Sequence, residues 1–314
     1  MIPLYDTART RQFPLIAWLL VAANALAFIL EIGMGPGALE GFIRTWGLGI
    51  VLALAGCAGS PERDAGVVLD QILAGDQRPA AYRARDAYRH PKETLQFFGV
   101  RPDLSVVEVW PGGGWYTQIL APLLRERGKY YAAHFHVDEK SPRYMGPARE
   151  AFLKSLAARP DLYDRVVVTS LDAPRQVDLA PRGGVDLVLT FRNVHNWTAA
   201  KTDAAMFRAF FDALKPGGVL GVVEHRAREG TSLEQMVKTG YMTEAYVIGL
   251  AQQAGFRLVA RSEVNANPKD TKDHPRGVWT LPPTFRLGDQ DRQQYAAIGE
   301  SDRMTLKFVK SQRP

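Results

Sequence analysis

Residues 105–120, S-V-V-E-V-W-P-G-G-G-W-Y-T-Q-I-L, constrain the fold of this chain more than any other stretch. They open with a short apolar run, interrupted only by Glu108, that is typical of a buried parallel strand. Three consecutive glycines follow at 112–114, and glycine permits the positive φ angles and close backbone approach of a tight turn. Residues 115–124 then carry apolar side chains at helical spacing. This order of strand, glycine turn and helix predicts a site for an anionic or polar ligand at the helix N-terminus.

Strands and helices continue to alternate along the rest of the chain. We predict further strands at 129–135, 165–169, 185–191, 218–224, 256–264 and 304–309. Helices are predicted at 62–73, 90–98, 115–125, 147–158, 199–214 and 243–254. Strands separated by helices of this length predict an α/β fold, with a mostly parallel sheet of seven strands and helices on both faces.

The composition is that of a globular protein and excludes some classes of partner and scaffold. Hydrophobic residues make up 46% of the 314 residues and charged residues 23%. The formal net charge is +6, but no long block of lysine and arginine occurs, so we expect no nucleic-acid partner. The single cysteine, Cys57, excludes an internal disulfide framework.

The first 60 residues differ from the rest. Residues 12–30 are uncharged and mostly apolar, close to the length of a membrane span, and Arg9 and Arg11 before them favour a cytoplasmic N-terminus. The opening, M-I-P-L-Y-D-T-A-R-T-R-Q-F-P, resembles the start of rhomboid-type membrane proteins. That resemblance ends near residue 48 and no rhomboid G-x-S-x motif follows, so it implies no protease activity.

A second apolar run ends in L-A-G-C, which resembles a bacterial lipobox whose cysteine, here Cys57, is lipidated after cleavage. Counted from Met34, the run forms a short leader with Arg44 before its apolar core, so residues 1–33 would be an upstream extension or a fusion. We expect residues 1–60 to be a membrane segment or lipoprotein-type leader and 61–314 to be the folded domain. Lipidation predicts a periplasmic or outer-membrane location. The alternative is two membrane helices that leave the domain on the cytoplasmic side of the inner membrane.

The glycine turn indicates which ligand to expect. The dinucleotide fingerprint G-x-G-x-x-G needs a glycine where this chain has Thr117, which argues against a nicotinamide cofactor. An acid at the strand end, Glu108, followed by Pro111 and by Gly112, Gly113 and Gly114, resembles motif I of class I S-adenosyl-L-methionine (SAM)-dependent methyltransferases. The resemblance implies that the acid lies near the methionine amino group and that the turn passes under the cofactor. The residues alone also allow a purely structural turn.

Polar residues at other strand ends are further candidates, because ligands of open α/β sheets bind at the carboxyl ends of the strands. His134 stands where methyltransferases carry an acid for the ribose hydroxyls, so we assign that contact to His134, with Asp138 as the alternative. His134 and His136 would point to one face and could meet a cation, but we expect no metal site. Asp172 resembles the adenine-contacting position, and its alternative role is a helix cap.

The fourth strand ends in F-R-N-V-H-N-W, a polar and aromatic cluster where the resemblance brings methyl group and acceptor together. We assign Arg192 and Asn193 to the cofactor. His195, and His225 at the end of the fifth strand, are the candidate catalytic bases, since histidine titrates near pH 6.5. The alternative for each histidine is a buried structural role.

The remaining motifs extend the resemblance from about residue 95 to 264. L-K-P-G-G-V-L before the fifth strand is a methyltransferase signature, and the segments N-P-K-D-T-K-D, V-W-T-L-P-P and I-G-E-S-D-R-M-T resemble a bacterial family of predicted methyltransferases that often carry a signal peptide. The resemblance implies a Rossmann-like class I methyltransferase fold whose last two strands form an antiparallel edge pair. It implies SAM as the cofactor and names no substrate, so we expect a small-molecule acceptor.

Two other functions stay open. One is a non-catalytic domain that binds SAM or a nucleotide, which Trp110 at the usual first glycine of the motif and His134 both suggest. The other is a nicotinamide-dependent oxidoreductase, which Thr117 disfavours. Binding without turnover would mark the first, and a titration with SAM against NAD(P) would separate the second.

Overall fold

The computed structural model describes residues 61–311. One sheet of eight strands runs through them: β1 (Ser105–Val109), β2 (Lys129–Phe135), β3 (Val167–Asp172), β4 (Gln176–Asp178), β5 (Val185–Phe191), β6 (Leu214–His225), β7 (Phe256–Ser262) and β8 (Arg303–Lys310). The strand order is β4-β3-β2-β1-β5-β6-β8-β7. Strands β3, β2, β1, β5 and β6 are parallel, and β8 is antiparallel to both β6 and β7. The predicted Rossmann-like α/β sheet is confirmed.

Helices occupy the connections. They are α1 (Pro61–Ala74), α2 (Ala80–Arg83), α3 (Asp86–Arg89), α4 (Pro91–Phe98), α5 (Thr117–Leu124), α6 (Met145–Ala157), α7 (Pro160–Tyr163), α8 (Val194–Ala199), α9 (Asp203–Ala213), α10 (Leu233–Thr239), α11 (Glu244–Ala254) and α12 (Arg292–Ile298). A 3₁₀ turn covers Gly277–Thr280.

The two faces of the sheet belong to two apolar clusters. Successive side chains of β1 alternate between them, because neighbouring residues of a strand point to opposite faces. Val107 and Val109 pack in the cluster that contains Trp197 and Phe210 of α8 and α9. Val106 belongs to the other cluster, with residues of α1, α4 and α5. Helices therefore cover both faces, and the polar residues of the central strands are left at the carboxyl edge.

The structure corrects three details of the prediction. The sheet has eight strands rather than seven, because Gln176–Asp178 pairs antiparallel with β3. Three residues are too few to show an alternating pattern, so no local signal predicts this strand. The polar segment after β5 contains the short helix α8, and α9 begins only at Asp203. Strand β6 begins at Leu214, so the L-K-P-G-G motif lies in its irregular first half rather than before it.

The N-terminal predictions fall outside the described residues. Cys57, both apolar runs and the proposed start at Met34 lie within residues 1–60, so the leader, the lipidation and the domain boundary stay predictions. Among residues 61–311, none of the helices combines the length and the apolar character that a membrane crossing requires.

Candidate active site

A cleft of about 360 Å³ opens at the carboxyl ends of β1 and β5. These two strands are neighbours in the sheet, at the point where the strand order reverses direction. Such a switch point is where open α/β sheets bind ligands, and the volume lies in the roughly 300–1,000 Å³ range of small-molecule sites. The cleft is lined by the end of β1 and the turn after it, the end of β5 and the segment after it, and the ends of β2 and β6. The region of α2 and α3 and the segments before β8 complete the lining.

The glycine turn presents bare backbone to the cleft. Gly112 has a φ of 59° and borders open space, since an added Cβ would meet no heavy atom within 4 Å. At Gly113 the added atom would lie 3.2 Å from the Tyr82 hydroxyl. Gly114 instead packs on Phe152, 3.3 Å from the added Cβ, and does not line the cleft. Of the predicted turn residues, Pro111, Gly112 and Gly113 therefore reach the cleft.

Trp110 occupies the position of the usual first glycine and keeps a glycine-like backbone. Its φ is 49°, in the left-handed region that only glycine adopts without cost. The indole N–H donates to the carbonyl of Leu171 at 3.0 Å, and the ring packs edge-on against Phe135 and Trp197. These contacts hold the strained conformation, and the indole adds an aromatic wall to the cleft.

The end of β5 is tied to the end of β1. Arg192 follows β5 directly and, like Trp110, is a non-glycine residue with a positive φ, 61°. The Asn193 side-chain amide donates to the carbonyl of Val109 at 2.9 Å. Strained residues held by their surroundings cluster at functional sites, so two of them on adjacent strand ends support a site here. The predicted residues Arg192 and Asn193 both line the cleft.

Glu108 is buried beneath the turn. It accepts hydrogen bonds from the hydroxyls of Tyr130 at 2.5 Å and Thr117 at 3.1 Å. Burial disfavours the charged form and raises the pKa of Glu108 to about 7, although both hydrogen bonds act against this. The carboxyl group therefore holds its proton to a higher pH than an ordinary glutamate does. Thr117, which replaces the third glycine of the dinucleotide fingerprint, has the distinct task of holding Glu108.

His134 supports the turn from below and does not line the cleft. Its Nδ1 accepts from the backbone N–H of Phe135 at 2.8 Å, so Nε2 carries the proton and donates to the carbonyl of Gly112 at 3.2 Å. Burial lowers the pKa of His134 to about 4, which keeps the ring neutral. In this geometry His134 fixes the turn, and its assignment to the ribose stays a prediction.

The two carboxylates predicted for the adenosine end share one arginine. Arg175 forms an ion pair with Asp172, and its guanidinium also donates to Asp138 at 2.9 Å. Neither aspartate lines the cleft. Contact of either one with an adenosine group would require Arg175 to give up that pairing, so these assignments also stay predictions.

A histidine and a buried glutamate meet at the ends of β5 and β6. His195 Nδ1 lies 3.0 Å from Oε1 of Glu224, which is fully buried. Glu224 also accepts the backbone N–H groups of His195 at 3.3 Å and His225 at 2.8 Å. A carboxylate only accepts, so Nδ1 carries the ring proton and Nε2 of His195 is left as an acceptor. This is the arrangement of a base oriented by an acid.

His225 stands beside this pair. Its ring centroid is 5.2 Å from that of His195, and its Nδ1 lies 2.5 Å from the Ser301 hydroxyl. Burial, followed by the nearby His195 and three arginines, holds the pKa of His225 well below its usual value. His225 is therefore neutral at physiological pH and can serve as a hydrogen-bond partner in the cleft.

His195, Glu224 and His225 each offer a ligand atom within 4.8 Å of the others, a grouping that could hold a metal ion. Two features disfavour a cation there. The Glu224 oxygens already accept three N–H groups, and the arginines that lower the pKa of His225 would also repel a cation. The same groups suit proton transfer better than metal binding.

Four arginines converge on Glu300, and sequence reasoning missed this cluster. Arg85 Nε lies 2.5 Å and Arg89 Nε 3.1 Å from the carboxylate, Arg303 also donates to it, and Arg192 Nη1 lies 3.7 Å away. Burial alone would raise the pKa of Glu300, but the arginines outweigh it and lower the pKa to about 2. Arg85 and Glu300 are 215 positions apart, so only the abundance of arginine at 78–89 hinted at a role for this region.

The segments before β8 form the opposite wall. Trp279 packs edge-on against His195 with ring centroids 6.0 Å apart, and Pro282 and Pro283 line the same side. Asp270 anchors this part of the chain, since it accepts from the Tyr241 hydroxyl at 3.0 Å and from His274 Nε2 at 2.8 Å. The tail motifs thus build one side of the cleft.

The sheet and the position of the cleft define a protein with the class I SAM-dependent methyltransferase fold. Among similar solved structures, a SAM dependent methyltransferase from Aquifex aeolicus is 16% identical over 72% of this chain and 93% of that chain, with a TM-score of 0.48. The [4+2]-cyclase SpnF is 16% identical over 76% of this chain and 85% of that chain, with a TM-score of 0.50. CrArsM, an arsenic(III) SAM methyltransferase from Chlamydomonas reinhardtii, is 16% identical over 75% of each chain, with a TM-score of 0.41.

Likenesses at this identity concern the fold and carry no activity over to this chain. A scan against protein-family models returns no match, and a search of curated proteins returns none either. The function must therefore be argued from the cleft itself.

Proposed function

We propose that this protein is a SAM-dependent methyltransferase of a small-molecule acceptor, with His195 as the base that takes a proton from that acceptor. One observation carries the proposal: the bare backbone of Gly112 and the imidazole of His195 line the same cleft of about 360 Å³. A methyl donor at the turn and an acceptor at the base would then share one enclosed space.

The turn fits the cofactor because it offers open space beside exposed backbone. Pro111, Gly112 and Gly113 would hold it, with Asn193 at the neighbouring strand end. SAM supplies an already activated methyl group, so the chain contributes alignment and the exclusion of water. The aromatic walls around the cleft serve both tasks.

His195 supplies the proton chemistry. With Nδ1–H donated to Glu224, the lone pair of Nε2 is available to a hydroxyl, amine or thiol of the acceptor. The acceptor's proton passes to Nε2, and the negative charge of Glu224 stabilises the resulting imidazolium. Glu224 orients the ring and acts as a positioning residue.

Calorimetric titration tests the cofactor. We expect SAM and its demethylated product to bind, and NAD and NADP not to bind. Gly112→Val should abolish SAM binding, because the side chain would fill the space beside the turn. The matched control is Gly183→Val, which places the same residue at a similar φ, 64°, on an exposed loop outside the cleft. Binding of NAD(P) in place of SAM, or normal SAM binding by Gly112→Val, would refute the assignment.

A second candidate is a non-catalytic domain that binds SAM or a nucleotide. Two observations favour it: Trp110 stands at the usual first glycine, and Arg175 occupies the carboxylates of Asp138 and Asp172. SAM binding with no methylated product from a broad set of acceptors would identify this function. A nicotinamide-dependent oxidoreductase is the weakest of the three, because Thr117 is committed to Glu108.

The finer family and location are proposals from the sequence. We propose membership of the bacterial methyltransferase family with signal peptides, and lipidation at Cys57 that anchors the domain on the periplasmic side. Metabolic labelling with a fatty acid, with Cys57→Ser as the control, tests the anchor. An unlabelled wild type whose domain resists external protease in spheroplasts would establish the inner-membrane alternative.

A further inference from the structure

The arginine cluster carries more positive charge than the residues around it compensate. Arg85, Arg89, Arg192 and Arg303 face the single carboxylate of Glu300, and all five line the cleft. Arg89, Arg303 and Glu300 are at most 3% exposed, so water does little to screen them. Like charges at such depth are costly unless an opposite charge joins them.

Glu300 is already bonded to three of the four arginines. Its Oε1 accepts from Arg85, and its Oε2 accepts from both Arg89 and Arg303. Arg192 reaches the carboxylate only as an ion pair at 3.7 Å, and within residues 61–311 its guanidinium makes no hydrogen bond. The buried Nε of Arg303 also has no partner in the described part of the chain. The cluster therefore keeps unused donors, as a built anion site requires.

The cofactor does not supply the missing negative charge. SAM carries one carboxylate against an ammonium and a sulfonium, so its net charge is positive. Loading the turn with SAM adds to the positive charge already present in the cleft. Glu224 and Glu108 bring at most two further negative charges, so four arginines still face no more than three carboxylates. The second occupant of the cleft has to bring an anion.

We infer that the methyl acceptor carries an oxyanion, a carboxylate or a phosphate, which binds to Arg192 together with Arg89 and Arg303 while its nucleophilic group faces His195. This inference rests on the proposed function and adds the substrate class. Arg192 lies three positions before His195, across the turn into α8, so one rigid segment carries both the anion contact and the base. An acceptor held at two points is also oriented for transfer.

The test uses the full chain. The protein is first loaded with S-adenosylhomocysteine, the demethylated product. It is then titrated with two probes, benzoate and inorganic phosphate. We expect at least one probe to bind, and its affinity to fall with added salt, since an ion contact is screened. Arg192→Gln should weaken that probe at least tenfold and leave the SAM affinity within about threefold, each tenfold step being about 1.4 kcal/mol. Arg182→Gln, an exposed arginine outside the cleft, is the control for loss of charge and should change neither.

The outcomes separate the inference from the function on which it rests. In one outcome the probes compete with SAM and Arg192→Gln loses SAM binding. The cluster would then bind the cofactor's own carboxylate. That result would overturn the inference and leave the proposed methyl transfer intact. Absence of probe binding to the loaded wild type would also overturn it. Absence of SAM binding to the wild type would instead remove the proposed function. Arg192→Met, which keeps the length of the side chain and removes its charge, repeats the test if Arg192→Gln does not fold.

Discussion

The Nδ1 atom of His195 and the Oε1 atom of Glu224 lie 3.0 Å apart, although the residues belong to different strand ends and are 29 positions apart. The parallel pairing of β5 with β6, with Phe191 opposite Val223, brings the two ends level. The proposed base and the group that orients it are therefore fixed by sheet register rather than by a flexible loop. A site on rigid elements holds its geometry within the limits that catalysis needs.

Replacement of Glu224 by glutamine tests whether the negative charge of Glu224 contributes to turnover beyond its role in orienting His195. Glu224→Gln keeps the shape but loses the negative charge that stabilises the imidazolium, so we expect turnover to fall about 10²-fold or more with little change in SAM affinity. The activity-against-pH profile should shift as well, which a purely structural role would not cause. Unfolding in urea should show a loss of about 1–3 kcal/mol, because an amide cannot accept all three N–H groups. An unchanged rate and profile would assign Glu224 to structure alone.

Removal of the base itself gives a second prediction. His195→Ala should lower turnover about 10²–10⁴-fold, the usual contribution of general base catalysis, and leave SAM binding measured by calorimetry nearly unchanged. His136→Ala is the control, since that histidine is partly exposed and does not line the cleft. Equal losses in the two variants would show that the effect has no connection with the cleft.

Glu108 predicts a dependence of stability on pH. Its folded pKa of about 7 lies above the ordinary value of 4.5, so the folded state binds the proton more tightly than the unfolded state. The stabilisation is fully present below pH 4.5 and is lost as the pH rises through 7, by about 3 kcal/mol in total. Urea unfolding at a series of pH values should show this loss in the wild type relative to Glu108→Gln. A constant difference between the two proteins would contradict the burial of an uncharged carboxyl group.

At position 110 we expect the glycine variant to be more stable than the alanine variant, the reverse of the usual order. Both Trp110→Gly and Trp110→Ala lose the indole contacts, and each should destabilise the fold by about 2–4 kcal/mol. At a φ of 49°, however, alanine retains the backbone strain that glycine relieves, so Trp110→Gly should be the more stable by about 1 kcal/mol. Urea unfolding of the three proteins decides it. A more stable alanine variant would mean that the backbone leaves the left-handed region when the indole is removed.

Sequence reasoning located the elements whose burial is visible as a pattern of apolar residues within a short stretch of the chain. The prediction of a strand at 185–191 agrees with Val185–Phe191, because six of its seven residues are buried and Leu187–Leu189 form a continuous apolar run. Strand β4 is absent from the prediction, because its three residues are exposed or half-exposed. The polar segment after β5 was recognised as a site, but its helix was not, because a helix of six residues shows too little periodicity.

The residues of the candidate site also fall into two groups: those that a single segment of sequence reveals and those that it does not. The glycine turn and His195 stand out locally, since glycine runs and polar clusters at strand ends are visible in a single segment. The arginine cluster was invisible because it joins Arg85 to Glu300 across 215 positions. The burial of Glu108 and His134 could not be predicted from the sequence either, because it depends on side chains packed from other elements.

Strand β8 lies between β6 and β7, and it also begins with Arg303. In the described part of the chain, β7 has no strand partner except β8. During synthesis the ribosome therefore releases β6 and β7 well before the strand that joins them, and the Glu300 partner of Arg85 is released at the same late stage. A nascent chain can close the turn around Gly112 early, but it gains Glu300, Arg303 and the strand that attaches β7 to the sheet together, after the other strands. Premature termination shortly after β7 would leave a partial domain that has the glycine turn but lacks Glu300, Arg303 and β8.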